Sequence, residues 1–167
     1  GTAFWGFTLA MIFGGPLVDV IGMKRIIYVA FGAHVLGIIL TIAASGFWML
    51  FLSTLLIGIA NGSVEAAANP LVTAMYPDQK TKKLNQFHVW FPGGIVIGGL
   101  LVFGLEALGY GWRIQMGAML IPTLAYFLMF VGAKFPQTER VTSGFSYKEM
   151  LKACVSPLFL FMAACML

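Results

Sequence analysis

The stretch GGPLVDVIGMKR, residues 14–25, separates two long apolar runs. Its pattern rests on five residues: Gly15, Asp19, Gly22, Lys24 and Arg25. An acid at the end of a helix either accepts backbone hydrogen bonds or pairs with a cation, and glycines permit a tight turn. The stretch therefore predicts a short basic connection between two apolar segments, with Gly15 and Gly22 making the turn.

The composition favours a membrane protein. The chain is 60% hydrophobic and 10% charged, with a mean hydropathy of +0.92, whereas soluble domains carry about 25% charged residues. No Lys or Arg occurs in residues 26–79 or 84–112, and a soluble surface could not be built with such gaps. The net charge of +4 therefore does not indicate nucleic-acid binding, because the basic residues lie in short loops between apolar spans.

A helix needs about 20 apolar residues to cross the hydrocarbon core of a bilayer. The sequence predicts an all-α, polytopic bundle with spans at residues 3–18, 26–45, 48–75, 87–109 and 113–133, and a further span beginning at 157. The third is expected to tilt or kink at Asn69-Pro70. Because the first span is short and the final run is too short to cross, we expect an internal fragment of a longer protein.

The basic residues predict the orientation of the spans. If the connection containing Lys24 and Arg25 is cytoplasmic, nine of the ten Lys and Arg residues fall on that side, and only Arg113 is external. Cytoplasmic loops of inserted helices carry such an excess of positive charge. The predicted location is the cell (inner or plasma) membrane.

The 14–25 stretch resembles the cytoplasmic loop signature of the major facilitator superfamily of secondary transporters, with Val20 where the family usually has Arg or Lys. The family has twelve helices in two six-helix halves. The resemblance implies that residues 1–133 form most of the N-terminal half, 134–156 a cytoplasmic linker between the halves, and 157–167 the start of the next helix. It also implies that Gly15, Asp19, Gly22, Lys24 and Arg25 form a conformational latch against the missing C-terminal half.

Within the linker, Ser146 and Glu149 have the spacing of a capping box, in which the two side chains bond to each other's backbone N–H. The apolar residues that follow predict a short amphipathic helix on the inner membrane surface: Tyr147, Met150, Leu151, Cys154 and Val155. An ordinary solvated linker is the alternative.

The third span contains the strongest chemical signal. Asn61, Glu65 and Asn69 are four residues apart and share one helix face. A charged side chain at the bilayer centre costs about 2.5 kcal/mol or more, so Glu65 is expected to face a water-filled cavity, pair with a cation or be protonated. A carboxyl group there could load and release a proton; a structural hydrogen bond to a neighbouring helix is the alternative.

The segment GIANGSVEAAANPLV, residues 58–72, is similar to the fourth helix of the fucose permease group of sugar/proton symporters. That resemblance implies a role for Glu65 in proton coupling and sugar recognition, extended to Asn61 and Asn69 on its face. His88 at the inner end of the fourth span is a further candidate for proton transfer, or a plain interfacial histidine. His34 is expected to make a bond between helices.

The glycines predict helix packing. Gly58 with Gly62, and Gly94 with Gly98, are pairs of small residues that let neighbouring helices approach closely in membranes.

The predicted function is proton-coupled symport of a sugar or similar small polar nutrient by alternating access. A metabolite or drug exporter of the same fold and a solute receptor that does not transport are the alternatives. No zinc, nucleophile-elbow or phosphate-loop motif occurs. The sequence therefore predicts no enzyme activity, no metal and no cofactor, and the partners are a solute, protons and the bilayer.

Overall fold

A computed structural model describes residues 1–144, 146, 148–149, 152 and 155–157. The helices are α1 (Thr2–Ile21), α2 (Met23–Ala43), α3 (Phe47–Met75), α4 (Lys80–Ala107), α5 (Trp112–Ala118), α6 (Leu120–Val131) and α7 (Glu139–Ser143), with a 3-10 turn at Pro77–Gln79. Five segments are long and apolar enough to cross a membrane when α5 and α6 count as one and the 3-10 turn joins α4. The predicted helical, polytopic fold is confirmed.

The connection between α1 and α2 is a single residue. Gly22 donates its N–H to Val18 O at 2.9 Å and accepts from Ile26 N at 3.3 Å, so it ends one helix and begins the next. Its φ of 90° is a conformation that glycine adopts at no steric cost. The prediction that Gly15 shares in the turn is wrong, because Gly15 lies inside α1 and its backbone is helical.

Prolines have different effects in the different spans. α3 continues through Pro70 as one helix from Phe47 to Met75. The predicted fifth span, in contrast, is interrupted at Met119, which separates α5 from α6. Pro122 explains the interruption, because proline has no N–H to donate to Ala118 O, four residues earlier, and its ring crowds that carbonyl.

The closest helix packing is between α1 and α3. A Cβ added at Gly58 would lie 2.8 Å from Ala3 Cα, and one added at Gly62 would lie 2.8 Å from Ala10 Cβ. The predicted role of the Gly58/Gly62 pair is thereby confirmed. Gly94 and Gly98 are different: nothing described lies within 4 Å of an added Cβ at either, and both line an open groove of about 570 Å³ beside α5.

The most buried apolar cluster lies where α1, α2 and α3 meet near the Gly22 connection. It consists of Val18, Met23, Ile26, Ile27, Ala67 and Leu71. Tyr126 and Phe130 of α6 pack against this cluster. α4, by comparison, contains no buried residue in the described structure.

The glycine contact gives the first prediction. Gly58→Ala should destabilise the full-length protein by about 1–3 kcal/mol, the usual cost of overpacking, because the new methyl group meets the Ala3 backbone, which cannot rotate away. Gly32→Ala in α2 is the matched control, since no atom of the described residues lies within 4 Å of an added Cβ there. It should be neutral or stabilising by up to about 1 kcal/mol. Thermal unfolding in detergent measures both, and equal changes would contradict the packing.

Candidate functional site

Glu65 is the centre of a group of polar side chains that joins α3 to α4. Asn69 Nδ2 donates to Glu65 Oε1 at 3.2 Å, and His88 Nδ1 lies 3.4 Å from the same oxygen. The Glu65 side chain is 24% exposed and that of His88 is 47% exposed. The structure therefore brings together three of the residues predicted from the sequence, on two helices.

The Asn69 side chain is only half satisfied. Its Oδ1 atom is buried and has no hydrogen-bond partner among the described residues, although its Nδ2 group is bound to Glu65. An unpaired buried acceptor costs about 1–3 kcal/mol. This unpaired oxygen belongs to a residue one helical turn from Glu65.

Asn61 belongs to a second polar group, which joins α3 to α2 and α6. His34 Nε2 lies 2.9 Å from Asn61 Oδ1, and His34 Nδ1 lies 3.0 Å from the Tyr126 hydroxyl. The expected bond between helices at His34 is therefore confirmed. Nothing in the sequence pointed to Tyr126, which is surrounded by apolar residues in its span.

The arrangement around Glu65 suits proton transfer. Carboxylate and imidazole side chains commonly serve as proton donors and acceptors in proteins, and here Glu65 Oε1 and His88 Nδ1 are 3.4 Å apart. Both stand in helices that are apolar enough to cross a membrane, where ionisable residues face a cavity or pair with each other and generally serve function.

A separate ionic cluster lies at the Gly22 end of the bundle. Asp19 accepts hydrogen bonds from Thr138 Oγ1 and Arg140 Nε, so its partners lie in the segment after α6. Lys24 Nζ donates to Val131 O and Ala133 O, each at 2.9 Å, and thereby satisfies carbonyls at the end of α6. Arg25 is exposed.

Further charges tie the segment after α6 to the bundle. Lys80 of α4 forms an exposed ion pair with Glu139 at 2.7 Å. The predicted capping box is present, since Ser146 N donates to Glu149 Oε2 at 2.9 Å and Glu149 N donates to Ser146 Oγ at 3.3 Å. The bond from Ser146 N–H lowers the pKa of Glu149. Most of the predicted amphipathic stripe, including Tyr147 and Leu151, lies outside the described residues, as does all but the first residue of the span start predicted at 157–167.

Comparison with known families gives one match. The model of the Major Facilitator Superfamily matches residues 1–167. No solved structure matches the chain significantly.

The chain is also similar to curated relatives from two yeasts and a plant. It is 29% identical over 123 residues to Myo-inositol transporter 1 of Saccharomyces cerevisiae, which covers 73% of this chain and 21% of that protein. It is 26% identical to Myo-inositol transporter 1 of Candida albicans (75% and 23% covered) and 26% identical to Monosaccharide-sensing protein 3 of Arabidopsis thaliana (74% and 17% covered). The chain thus spans about a fifth of the length of these relatives.

Two of these relatives are named for myo-inositol and one for monosaccharides. Their family consists of transporters, which confirms the prediction that the chain is not an enzyme. The narrower resemblance to the fucose permease group stays a prediction.

The ionic cluster generates the second prediction. Asp19→Asn should destabilise the full-length protein by about 2 kcal/mol, because it removes the charge of the carboxylate that accepts from Arg140 Nε. Breaking a fully buried pair costs about 3–5 kcal/mol, and here the side chains of Asp19 and Arg140 are 8% and 20% exposed. Thermal unfolding in detergent measures the change.

Glu139→Gln is the matched control, since it breaks the Lys80 pair, whose side chains are 42% and 49% exposed. Exposed pairs contribute about 0.2–1 kcal/mol, so the control should unfold close to wild type. An Asp19→Asn protein no less stable than the control would mean that the Arg140 contact is not formed in the complete protein.

Proposed function

Because the chain belongs to the Major Facilitator Superfamily, we propose that it forms part of a secondary transporter that carries a sugar or a similar small polar nutrient together with protons. The observation that carries this proposal is the contact of His88 Nδ1 with Glu65 Oε1 at 3.4 Å inside segments apolar enough to span a membrane. The names of the relatives, which include inositol and sugar transporters, support the solute class.

In this proposal Glu65 is the residue that takes up and releases the coupling proton. When Glu65 is ionised, His88 and Asn69 stabilise it through Oε1. When a proton arrives, the attraction between the carboxylate and the imidazole weakens, and the two helices no longer favour the same relative position. Transporters of this kind alternate access by rocking one bundle against the other around a central site.

The proposed solute contacts lie on the same face of α3. Asn61 is exposed and Glu65 is partly exposed, while Asn69 Oδ1 needs a donor. Amide and carboxyl groups are the hydrogen-bonding partners that a polyhydroxyl solute requires. Asn61, Glu65 and Asn69 are therefore proposed to bind the solute, and His88 to assist the proton.

The signature connection is proposed to act as a latch. Asp19 is paired with Arg140 and Thr138 beyond α6, and Lys24 binds the end of α6. These contacts are of the kind that one transport state makes and another breaks. Arg25 is exposed at the same end, where it is available to the C-terminal half of the protein.

We also propose that this end of the bundle faces the cytoplasm, in a cell membrane. Nine of the ten basic residues fall on that side in the predicted topology. Asp19, Lys24 and Lys80 all contact residues of the same segment, 131–140, and this shared contact supports a common side.

The third prediction tests the proton. Full-length protein in liposomes is given D-glucose, myo-inositol and other sugars in turn, and the external pH is followed. Wild type should alkalinise the outside with at least one solute. Glu65→Gln should reduce the signal to background while exchange of the same solute continues, because a glutamine cannot release a proton.

Glu106→Gln is the matched control. Glu106 is an exposed carboxylate at the far end of α4, so its replacement should leave proton coupling unchanged. If Glu65→Gln retains proton uptake with a transported solute, Glu65 only joins helices. If wild type transports a solute without proton movement, the protein is a facilitator, and if it moves no sugar or polyol, the solute class is wrong.

A further inference from the structure

We infer that Tyr126 and His34 hold the amide of Asn61 in one orientation, so that its NH₂ group and Glu65 Oε2 form a donor–acceptor pair selecting solutes with two neighbouring hydroxyl groups. The inference rests on the proposed function and concerns the same site. It assigns a positioning role to two residues on helices other than α3.

With the Asn61 amide oriented as in the structure, the two bonds of His34 give the chain of hydrogen bonds one direction. Asn61 Oδ1, 2.9 Å from His34 Nε2, is a carbonyl oxygen and only accepts, so Nε2 carries the proton. In a neutral imidazole the other nitrogen is then an acceptor. The Tyr126 hydroxyl, 3.0 Å from Nδ1, therefore donates to it.

This direction determines what Asn61 presents to a solute. Its oxygen is occupied by His34, so its two N–H donors remain. Asn69 and His88 both contact Glu65 through Oε1, which leaves Glu65 Oε2 without a partner among the described residues. Asn61 and Glu65 are one helical turn apart, about 5.4 Å along the axis, and lie on the same face.

A donor next to an acceptor matches a pair of hydroxyl groups. One hydroxyl donates to Glu65 Oε2, and its neighbour accepts from Asn61 Nδ2. A solute that lacks one of these hydroxyls leaves a polar group unpaired, which is the strongest basis for rejecting an analogue. If the amide turned over, its oxygen would face the solute instead, and the site would offer two acceptors.

The packing of the Tyr126 ring holds its hydroxyl beside His34. Its ring makes edge contacts with His34, at a centroid distance of 5.9 Å, and with Phe31, at 6.2 Å. It also packs against the buried cluster around Ile27. Removal of the hydroxyl alone leaves these contacts in place, so Tyr126→Phe isolates the hydrogen bond.

The experiment compares solute discrimination in liposomes containing the full-length protein. The probes are D-glucose with 2-deoxy-D-glucose, and myo-inositol with a monodeoxy analogue. Tyr126→Phe and His34→Leu should raise KM for the parent solute and reduce discrimination against the deoxy analogue about tenfold, the effect of one hydrogen bond, while kcat stays near wild type.

Two further variants make the result specific. His34→Gln should keep most of the discrimination, because a glutamine amide both donates and accepts. Thr123→Val is the control on α6. Within the described part of the chain the Thr123 hydroxyl bonds only to Met119 O, in its own helix, at 2.8 Å, so this variant should behave as wild type.

The inference is overturned if Tyr126→Phe discriminates as wild type does, or if His34→Gln loses as much discrimination as His34→Leu. A fall in kcat with unchanged discrimination also overturns it. Should Tyr126→Phe not fold, the two His34 variants decide alone. If wild type takes up none of the probes, the proposed function fails instead, and the two failures are thus distinguished.

Discussion

The contact on which this structure depends is the approach of the α1 backbone to the α3 backbone. Lipid is as apolar as leucine, so helices in a membrane associate through close packing rather than through hydrophobic burial. Gly6, Gly58 and Gly62 supply the necessary space, and a Cβ at any of them would meet backbone or Cβ atoms of the other helix. The contact fixes the rotation of α3, and with it the direction in which Asn61, Glu65 and Asn69 point.

The polar residues of α3 then form two groups instead of one. Glu65 turns towards α4, where His88 meets it, whereas Asn61 binds His34 of α2 and, through it, Tyr126 of α6. Polar atoms in a spanning segment must be satisfied by other protein groups or by water. The two groups together connect four helices. The bonds that satisfy the polar atoms therefore also make the geometry of the site depend on how these helices are packed.

Sequence periodicity was sufficient for the five spans, for the face shared by Asn61, Glu65 and Asn69, and for the Ser146–Glu149 bonds, because each depends on neighbours within a few residues. Contacts between residues far apart in the sequence could not be predicted from periodicity. Arg140 binds Asp19 across 121 residues, and Tyr126 meets His34 across 92; both depend on how helices are rotated and packed. The interruption at Met119 was missed because the apolar run continues through it, although Pro122 was a local signal.

The single-residue joint at Gly22 has a mechanical consequence. With Val18 O bonded to Gly22 N and Gly22 O bonded to Ile26 N, no loop lies between α1 and α2, so a movement of the end of α1 displaces the start of α2. Lys24 at the start of α2 also donates to carbonyl oxygens at the end of α6, so the same movement displaces the end of α6. A displacement at Gly22 therefore involves α1, α2 and α6 together, whereas α4 follows α3 through a 3-10 turn and contains no buried residue among those described.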